Sequence, residues 1–591
     1  MCGIAGVMTG NRQESPAEPM RRMARALGHR GPDGEGRYLA PGMALLQTRL
    51  AIIDLETGDQ PLFEPGGSAL VANGEIYNYI ELRRDMAETG FATKSDCEPA
   101  LFLYARNGIT FPDRLRGMYG MAIFDPAEER LVLARDPFGI KPLYYVEGPH
   151  GFAFASEPQA LIAAGLVEPK LRRQAALELM QLQFTTGRHT IFQGIDRVLP
   201  GETLCVVNGR IVERRRQSAL PRPEIRATTE EEALSALDRL LMESVMLHQR
   251  SDVPYGMFLS GGIDSSSILA CMARLSSEPV RCYTAGFPGT DETDERAHAA
   301  RVAKAVGAAH VDVGVTANDF WTLLPEIAAA TDDPIADYAI IPTYRLGQEA
   351  AKDLKVVLSG EGGDELFAGY GRYRGVMRPF MLGGRTLRAR GTFDGLGVLR
   401  EEGANWRDGI RAAEGMLSEG RGTRVQVAQA VDCADWLPHD LLIKLDRCLM
   451  AHGLEGRTPF LDSSLARFAY CLPDDLKIRR SQGKYLLRRW LDKALPEADA
   501  FSTKRGFSVP VGAWIGERAS QVGPYVAASP GVQELCRPDA VMRLFKSVDG
   551  SARKRTARAA WTLLFYALWH RRHIQGMKPH GGVLDTLSQA A

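Results

Sequence analysis

The chain has 591 residues, with Lys plus Arg and Asp plus Glu at 72 each and a formal net charge of zero. That length calls for more than one domain, and the even balance removes any general electrostatic case for nucleic acid. Nine cysteines with no CxxC pair exclude a zinc or disulfide framework and suit a reducing cytoplasm, while the lack of a signal peptide and of a long apolar run argues against a membrane.

The chain opens Met1-Cys2-Gly3-Ile4-Ala5-Gly6. Cys2 is small enough for Met1 to be removed, which would put a thiol and a free α-amine on one residue. A thiol is a weak nucleophile until something takes its proton. An α-amine titrating near ~8 can serve as that base. Short apolar runs follow around Val7, Ala44–Leu46, Ala69–Ala72, Met121–Phe124 and Leu131–Ala134, each bounded by Gly, Pro or Asp. They predict buried strands, and residues 97–107 and 156–165 predict helices.

Between these runs stand His29-Arg30-Gly31-Pro32-Asp33-Gly34, Arg49-Leu50-Ala51-Ile52-Ile53-Asp54, Asn73-Gly74-Glu75-Ile76-Tyr77-Asn78, Ser95-Asp96-Cys97-Glu98 and Arg135-Asp136-Pro137-Phe138-Gly139. With the opening hexapeptide, this ordered series resembles the class II, N-terminal-nucleophile glutamine amidotransferases. The resemblance implies an αββα Ntn-hydrolase sandwich over residues 2–205, with Cys2 as nucleophile. It implies that Asn73 and Gly74 form the oxyanion hole, and that Arg49, Ile53, Asn73, Glu75 and Asp96 bind glutamine. The residue types fit: a forked guanidinium suits the α-carboxylate, and carboxylates suit the α-ammonium.

Residues 206–230, with Asn208-Gly209, Arg214-Arg215-Arg216 and Pro221-Arg222-Pro223, read as a polar linker. Thr228-Thr229-Glu230-Glu231 reads as a helix start. An apolar strand candidate, Val253–Leu259, then runs into Ser260-Gly261-Gly262-Ile263-Asp264-Ser265-Ser266, with a helical stretch from Ser267 to Leu275. Strand, Gly-rich turn and helix N-terminus make an anion site, where backbone N–H groups and the helix dipole converge. Asp264 would repel phosphate unless Mg²⁺ bridges them. A second such turn is Ser359-Gly360-Glu361-Gly362-Gly363-Asp364-Glu365 after Val356–Leu358. Further on come Asp446-Arg447, Glu455-Gly456-Arg457-Thr458-Pro459-Phe460-Leu461-Asp462, Gly483-Lys484-Tyr485 and Lys504-Arg505-Gly506-Phe507-Ser508-Val509-Pro510.

The string SGGIDSS resembles the pyrophosphate loop of the ATP pyrophosphatases and is not a Walker loop. The whole set resembles the synthetase domain of the glutamine-dependent asparagine synthetases. That resemblance implies a doubly wound α/β domain, adenine nucleotide alpha hydrolase-like, over 231–575. It implies ATP contacts from Phe258, Leu259, Ser260, Gly261, Gly262, Asp264, Ser265, Ala285, Ser359, Gly360 and Lys484. It further implies Mg²⁺ on Asp264 and Asp364, and Glu361 at the acyl-adenylate. The implied partners are glutamine, ATP and aspartate in a cytoplasmic enzyme, with ammonia passed internally between two sites. A homodimer stays open. Thr331-Asp332-Asp333-Pro334-Ile335-Ala336-Asp337-Tyr338-Ala339 carries Tyr338-Ala339 where many relatives have two serines. Another carboxylate acceptor (a sugar acid, a peptide or another metabolite) is therefore the alternative to aspartate, and a nonenzymatic relative is the alternative of a different class. Residues 378–425 are rich in Gly and Arg without a readable motif, and 576–591 read as a flexible tail.

Overall fold

The computed structural model describes residues 2–10, 16–290, 295–378, 387–401, 405–418, 422–502, 509–548 and 554–589. Met1, residues 504–508 of the last motif and parts of the 378–425 stretch lie outside them.

Two antiparallel six-stranded sheets form the first half. One runs Asp196–Arg197, Tyr144–Gly148, Gly151–Ala155, Gly3–Met8, Met43–Arg49, Gly34–Ala40; the other runs Arg210–Arg216, Glu202–Val207, Arg130–Arg135, Gly117–Asp125, Ala69–Ile76, Leu62–Phe63. Alternating residues of facing strands, among them Ile4, Leu45, Val71, Ala122, Leu133 and Phe154, fill the space between the sheets. Helix Ala17–Leu27 covers one outer face. It buries Met20, Met23, Ala24 and Leu27, the single stripe that a 3.6-residue period provides. Helix Glu98–Asn107 covers the other. This is the αββα sandwich that the motifs imply.

The boundary differs from the expected one. Strand Arg210–Arg216 pairs with Glu202–Val207, so the second sheet extends through residue 216 and the polar run Arg214-Arg215-Arg216 is an edge strand rather than linker. Its charged outer face is what an unpaired sheet edge tolerates. The connection is short, because helix Glu230–His248 starts at Thr229 with a capping box: the Thr229 hydroxyl accepts from Glu232 N, and the Glu232 carboxylate accepts from Thr229 N.

The second half is built on a parallel sheet in the spatial order Ala309–Gly314, Arg281–Gly286, Tyr255–Phe258, Val356–Leu358, Glu455–Arg457. Counted along the chain this is 3-2-1-4-5, a doubly wound sheet. The strand order reverses between Tyr255–Phe258 and Val356–Leu358. The crevice outside the carboxyl ends of those two strands is where such sheets bind ligands, and both Gly-rich turns leave from it. Beyond the sheet lies a helical layer centred on Lys554–His573, where Trp561, Phe565 and Trp569 are fully buried. The expected tail is also part of this layer: helix Val583–Ser588 buries Val583 and Leu587. Within the 378–425 stretch, the described residues include helix Asp408–Ser418 and the buried Phe393, Val398 and Leu399.

Candidate active sites

Cys2 enters strand Gly3–Met8 at the end of the first sheet and is 9% exposed. Its amide nitrogen donates to Asn73 Oδ1 at 3.1 Å, and its thiol points to the Leu50 carbonyl at 4.0 Å. Its carbonyl accepts from Arg30 Nε at 3.1 Å. Burial pushes the thiol's pKa up, with the N-terminal amine pulling against it. Asn73 is wholly buried, yet its Nδ2 has no hydrogen-bond partner. A buried amide donor without an acceptor is expensive, and this one is free to donate to an acceptor placed beside it. Gly74 is paired with Tyr119 across the sheet, and a Cβ there would sit 2.1 Å from the Met118 carbonyl oxygen. Only glycine lets the backbone lie this close.

Glu75 and Asp96 are both buried close to Cys2. Asp96 accepts from Ile76 N at 2.7 Å, and burial pushes its carboxyl up to about 6. Burial and the neighbouring Asp96 raise Glu75 well above the usual carboxylate range, and its Oε2 has no partner. Two buried carboxyls held against their preference for water would gain from an incoming ammonium. Arg49 is held by Asp59 at 2.5 Å and by the carbonyls of Ile53 and Asp54. Ile53 thus meets Arg49 through its backbone.

In the second half, helix Ile263–Leu275 begins inside the loop motif, four residues earlier than expected. Ser260 Oγ and Ser265 Oγ lie 3.1 Å apart, and Gly262 N donates to Ser260 Oγ at 3.2 Å. Phe258 and Leu259 close the strand, and the Leu259 carbonyl accepts from the Thr284 hydroxyl next to Ala285. Ser359 N donates to the Arg457 carbonyl at 2.8 Å, and Glu361 N donates to Ser359 Oγ at 3.4 Å. The second turn needs Gly362 at φ +91°, and a Cβ on Gly363 would meet Asp264 Oδ1 at 2.5 Å. The two turns therefore touch through Gly363 and Asp264.

Lys484 reaches this junction from a left-handed residue heading helix Tyr485–Ala494. Its Nζ bridges Asp264 Oδ2 and Asp364 Oδ1, the latter at 2.7 Å. An ammonium between two carboxylates marks the place where this site holds positive charge. Among the described residues no group of three or more metal-ligating side chains occurs. A pair of oxygen donors fits Mg²⁺, which takes one or two carboxylates and completes its shell with phosphates and water. Burial raises the Glu361 carboxyl, with Lys444 opposing and Asp337, Asp364 and Asp264 adding to the rise.

The two sites are joined by buried ion pairs. Arg457 is fully buried, 2.6 Å from Glu455 and 3.3 Å from Glu75. Arg30 binds Asp446 at 2.8 and 3.0 Å and Arg197 binds Asp333; Arg447, held by Asp332 of its own half, reaches Glu157 at 3.6 Å, and the part-exposed Arg116 binds Asp462. The sequence displays most of these residues in motifs but, Glu75 apart, gives them no role, and Arg116 and Arg197 stand outside every motif. The signal available was their charge inside otherwise apolar runs, as in Glu455-Gly456-Arg457. Nor does it reveal Asp440 and Trp436, which sit on the π-helical segment Asp432–Leu441.

Cys2 beside the unpaired Asn73 amide, in a chain that also carries a nucleotide-type crevice, is the arrangement of a glutamine amidotransferase with a second, synthetase site. Residues 1–216 match the glutamine amidotransferase domain family, and residues 236–571 match the asparagine synthase family. The chain is 32% identical to asparagine synthetase [glutamine-hydrolyzing] 1 of Bacillus subtilis over 97% of both chains. It is 33% identical to a putative asparagine synthetase [glutamine-hydrolyzing] of Mycobacterium bovis, over 96% of this chain and 97% of that one. It is 27% identical to the amidase chyE of Penicillium rubens over 99% of this chain and all of the other. This chain belongs to the asparagine synthase family. No helix among its described residues is long and apolar enough to cross a membrane.

Proposed function

We propose that the protein is an ATP-dependent amidotransferase that makes asparagine from aspartate, with glutamine as nitrogen donor. The observation carrying this reading is the pairing of an unsatisfied Asn73 donor beside Cys2 with the Lys484–Asp264–Asp364 cluster at the sheet's switch point. Cys2 Sγ attacks the glutamine carboxamide, and its proton passes to the α-amine. The oxyanion takes the Asn73 Nδ2 and Gly74 N–H donors, ammonia leaves, and water releases glutamate from the thioester. Glu75 and Asp96 hold the substrate ammonium, and Arg49 its carboxylate.

In the second site an aspartate β-carboxylate oxygen attacks the α-phosphorus of ATP, and pyrophosphate departs. Ser260, Gly261, Gly262 and Ser265 grip the pyrophosphate, while Phe258, Leu259, Ala285, Ser359 and Gly360 hold the nucleotide. Asp264 and Asp364 would hold Mg²⁺, which would supply charge compensation on the phosphates. Lys484 shifts its ammonium toward the pyrophosphate. Ammonia then attacks the acyl carbon and AMP leaves, with Glu361 placed to take the surplus proton. Internal transfer keeps ammonia unprotonated between the sites. A cytoplasmic location and the small molecules glutamine, ATP and aspartate as partners complete this reading; a homodimer is compatible with it.

The test is product analysis. With aspartate and glutamine the enzyme should form AMP and pyrophosphate, and ADP as product would reject adenylation. Cys2→Ala should abolish glutamine-dependent synthesis and keep ammonia-dependent synthesis; undiminished use of glutamine would reject the nucleophile. The same chemistry on another carboxylate is the second reading. It is favoured by a cavity of about 730 Å³ at Tyr338-Ala339, the segment where the sequence departs from its relatives.

A further inference from the structure

That cavity lies beside the synthetase site, and its wall has a distinct chemistry. Asp440 is fully buried, and neither of its carboxylate oxygens has a hydrogen-bond partner. Trp436 Nε1 and Arg555 Nη2 on the same wall are buried and make no hydrogen bond either, and Arg388 Nη2 has a long ion pair with Asp432 at 3.8 Å. Buried polar groups in native proteins are nearly always paired, and several orphans converging on one space point to a ligand. The wall is also built rather than incidental. Arg388 stands at φ 48°, a left-handed conformation that an arginine adopts only when its surroundings impose it. Its guanidinium stacks 3.8 Å above the Trp436 ring. Trp436 and Asp440 share the π-helical segment Asp432–Leu441, a rare geometry that gathers at functional sites.

The cavity connects to the chemistry at one end. Asp337 lines it and binds Lys444 at 2.8 Å, and both charges act on Glu361. Arg555 and Arg558 of helix Lys554–His573 line it as well. Aspartate, among the smaller amino acids, occupies only part of such a volume, which falls within the ~300–1,000 Å³ of pockets for drug-sized ligands. Where two serines would leave a small polar wall, Tyr338 supplies a broad aromatic one.

We propose that this cavity admits, at the same adenylating centre, a carboxylic acid larger than aspartate that carries a second anionic group, its reacting carboxylate beside Glu361 and the second anion on Arg388, Arg555 and Arg558. The proposal rests on the adenylating-amidotransferase reading above. The bond changes are the same: carboxylate oxygen to α-phosphorus with loss of pyrophosphate, then ammonia nitrogen to acyl carbon with loss of AMP and one proton. Asp440, near the reacting end, meets an amino or hydroxyl group of the acceptor.

The experiment is ATP–pyrophosphate exchange by the full chain with three acids: aspartate, the acidic dipeptide Asp-Glu and a uronic acid 1-phosphate. The two larger acids distinguish a peptide-type from a sugar-type acceptor. At least one of them should support exchange, with a kcat/KM within about tenfold of that of aspartate. The charge-reversed variant Arg555→Glu/Arg558→Glu should lower the ratio of that acid to aspartate at least tenfold, with glutamine hydrolysis reporting that the chain is folded. Exchange with aspartate alone, or a ratio unchanged in the variant, overturns the proposal and leaves the adenylation reading standing. Exchange with none of the three, alongside intact glutamine hydrolysis, overturns the adenylation reading and this proposal with it.

Discussion

Replacing Asn73 by Ala removes both polar groups of one side chain. Its Oδ1 holds the Cys2 nitrogen at 3.1 Å, and its Nδ2 faces the active site unpaired. The ground-state carboxamide gains little from Nδ2, whereas the tetrahedral oxyanion gains a full charge-assisted hydrogen bond in a dry site. Loss of one such donor lowers kcat by about 10²–10³, or ~3–4 kcal/mol of transition-state stabilisation. Asn73→Ala should therefore reduce glutaminase kcat by that factor with KM changed little, because an interaction made only in the transition state appears in kcat and kcat/KM alike. Ammonia-dependent synthesis should stay at the wild-type rate, since the second site does not touch Asn73. Steady-state glutamate release over a glutamine series, alongside AMP formation from ammonium, measures both. A raised KM at unchanged kcat would refute the reasoning by making Asn73 a glutamine-binding group alone.

The remaining expectations concern charge. Asp264→Asn and Asp364→Asn each remove one carboxylate of the Lys484 cluster. Either should lower synthesis about a hundredfold or more with both nitrogen donors and spare glutaminase; robust ammonia-dependent synthesis would sink the assignment. Glu361→Gln keeps the shape of the turn and loses the base, so ATP should bind while turnover falls by about 10²–10⁴; a shifted melting temperature with unchanged turnover would leave Glu361 a structural residue. Asp96, raised to about 6 by burial, is protonated below that pH and cannot hold the substrate ammonium as an ion. Hence kcat/KM for glutamine should rise with pH through about 6 and level above it, and Asp96→Asn should erase that limb of the profile. An unaltered limb in the variant would assign the titration to another group.

Local features were legible from the chain. The buried strands announced themselves as apolar runs, Thr228-Thr229-Glu230-Glu231 as a helix start, and both Gly-rich turns as strand-to-helix transitions. Glycine at 74 and at 362–363 is required by close approach or positive φ, so it leaves a mark in the sequence. Features made by distant partners left none. Arg214-Arg215-Arg216 read as linker because an edge strand with a charged outer face lacks the alternation of a half-buried one. Val583–Ser588 read as tail because its helix is short and owes its order to packing on a layer assembled from far earlier residues. Arg457 meets Glu75 from the opposite half of the chain, and no local period encodes such a meeting. Arg388, Trp436, Asp440 and Arg555 come from three separate segments, and only the folded chain gathers them around one space.

The ion pairs between the halves bear on how this family can be recombined. Arg30 and Asp446, Arg197 and Asp333, and Arg457 and Glu75 lie on opposite sides of the connection after residue 216, and all six are buried. Cutting or splicing the chain at that connection looks harmless on a domain map. It would strand each charge without its counterpart, and one broken buried pair costs about 3–5 kcal/mol, a large part of the stability of most domains. A glutaminase half borrowed from a relative would work only if its arginines met acids already waiting at matching positions. The interface thus behaves as a key cut for one lock, and the two catalytic halves must change together at these positions, even though each carries out its own step.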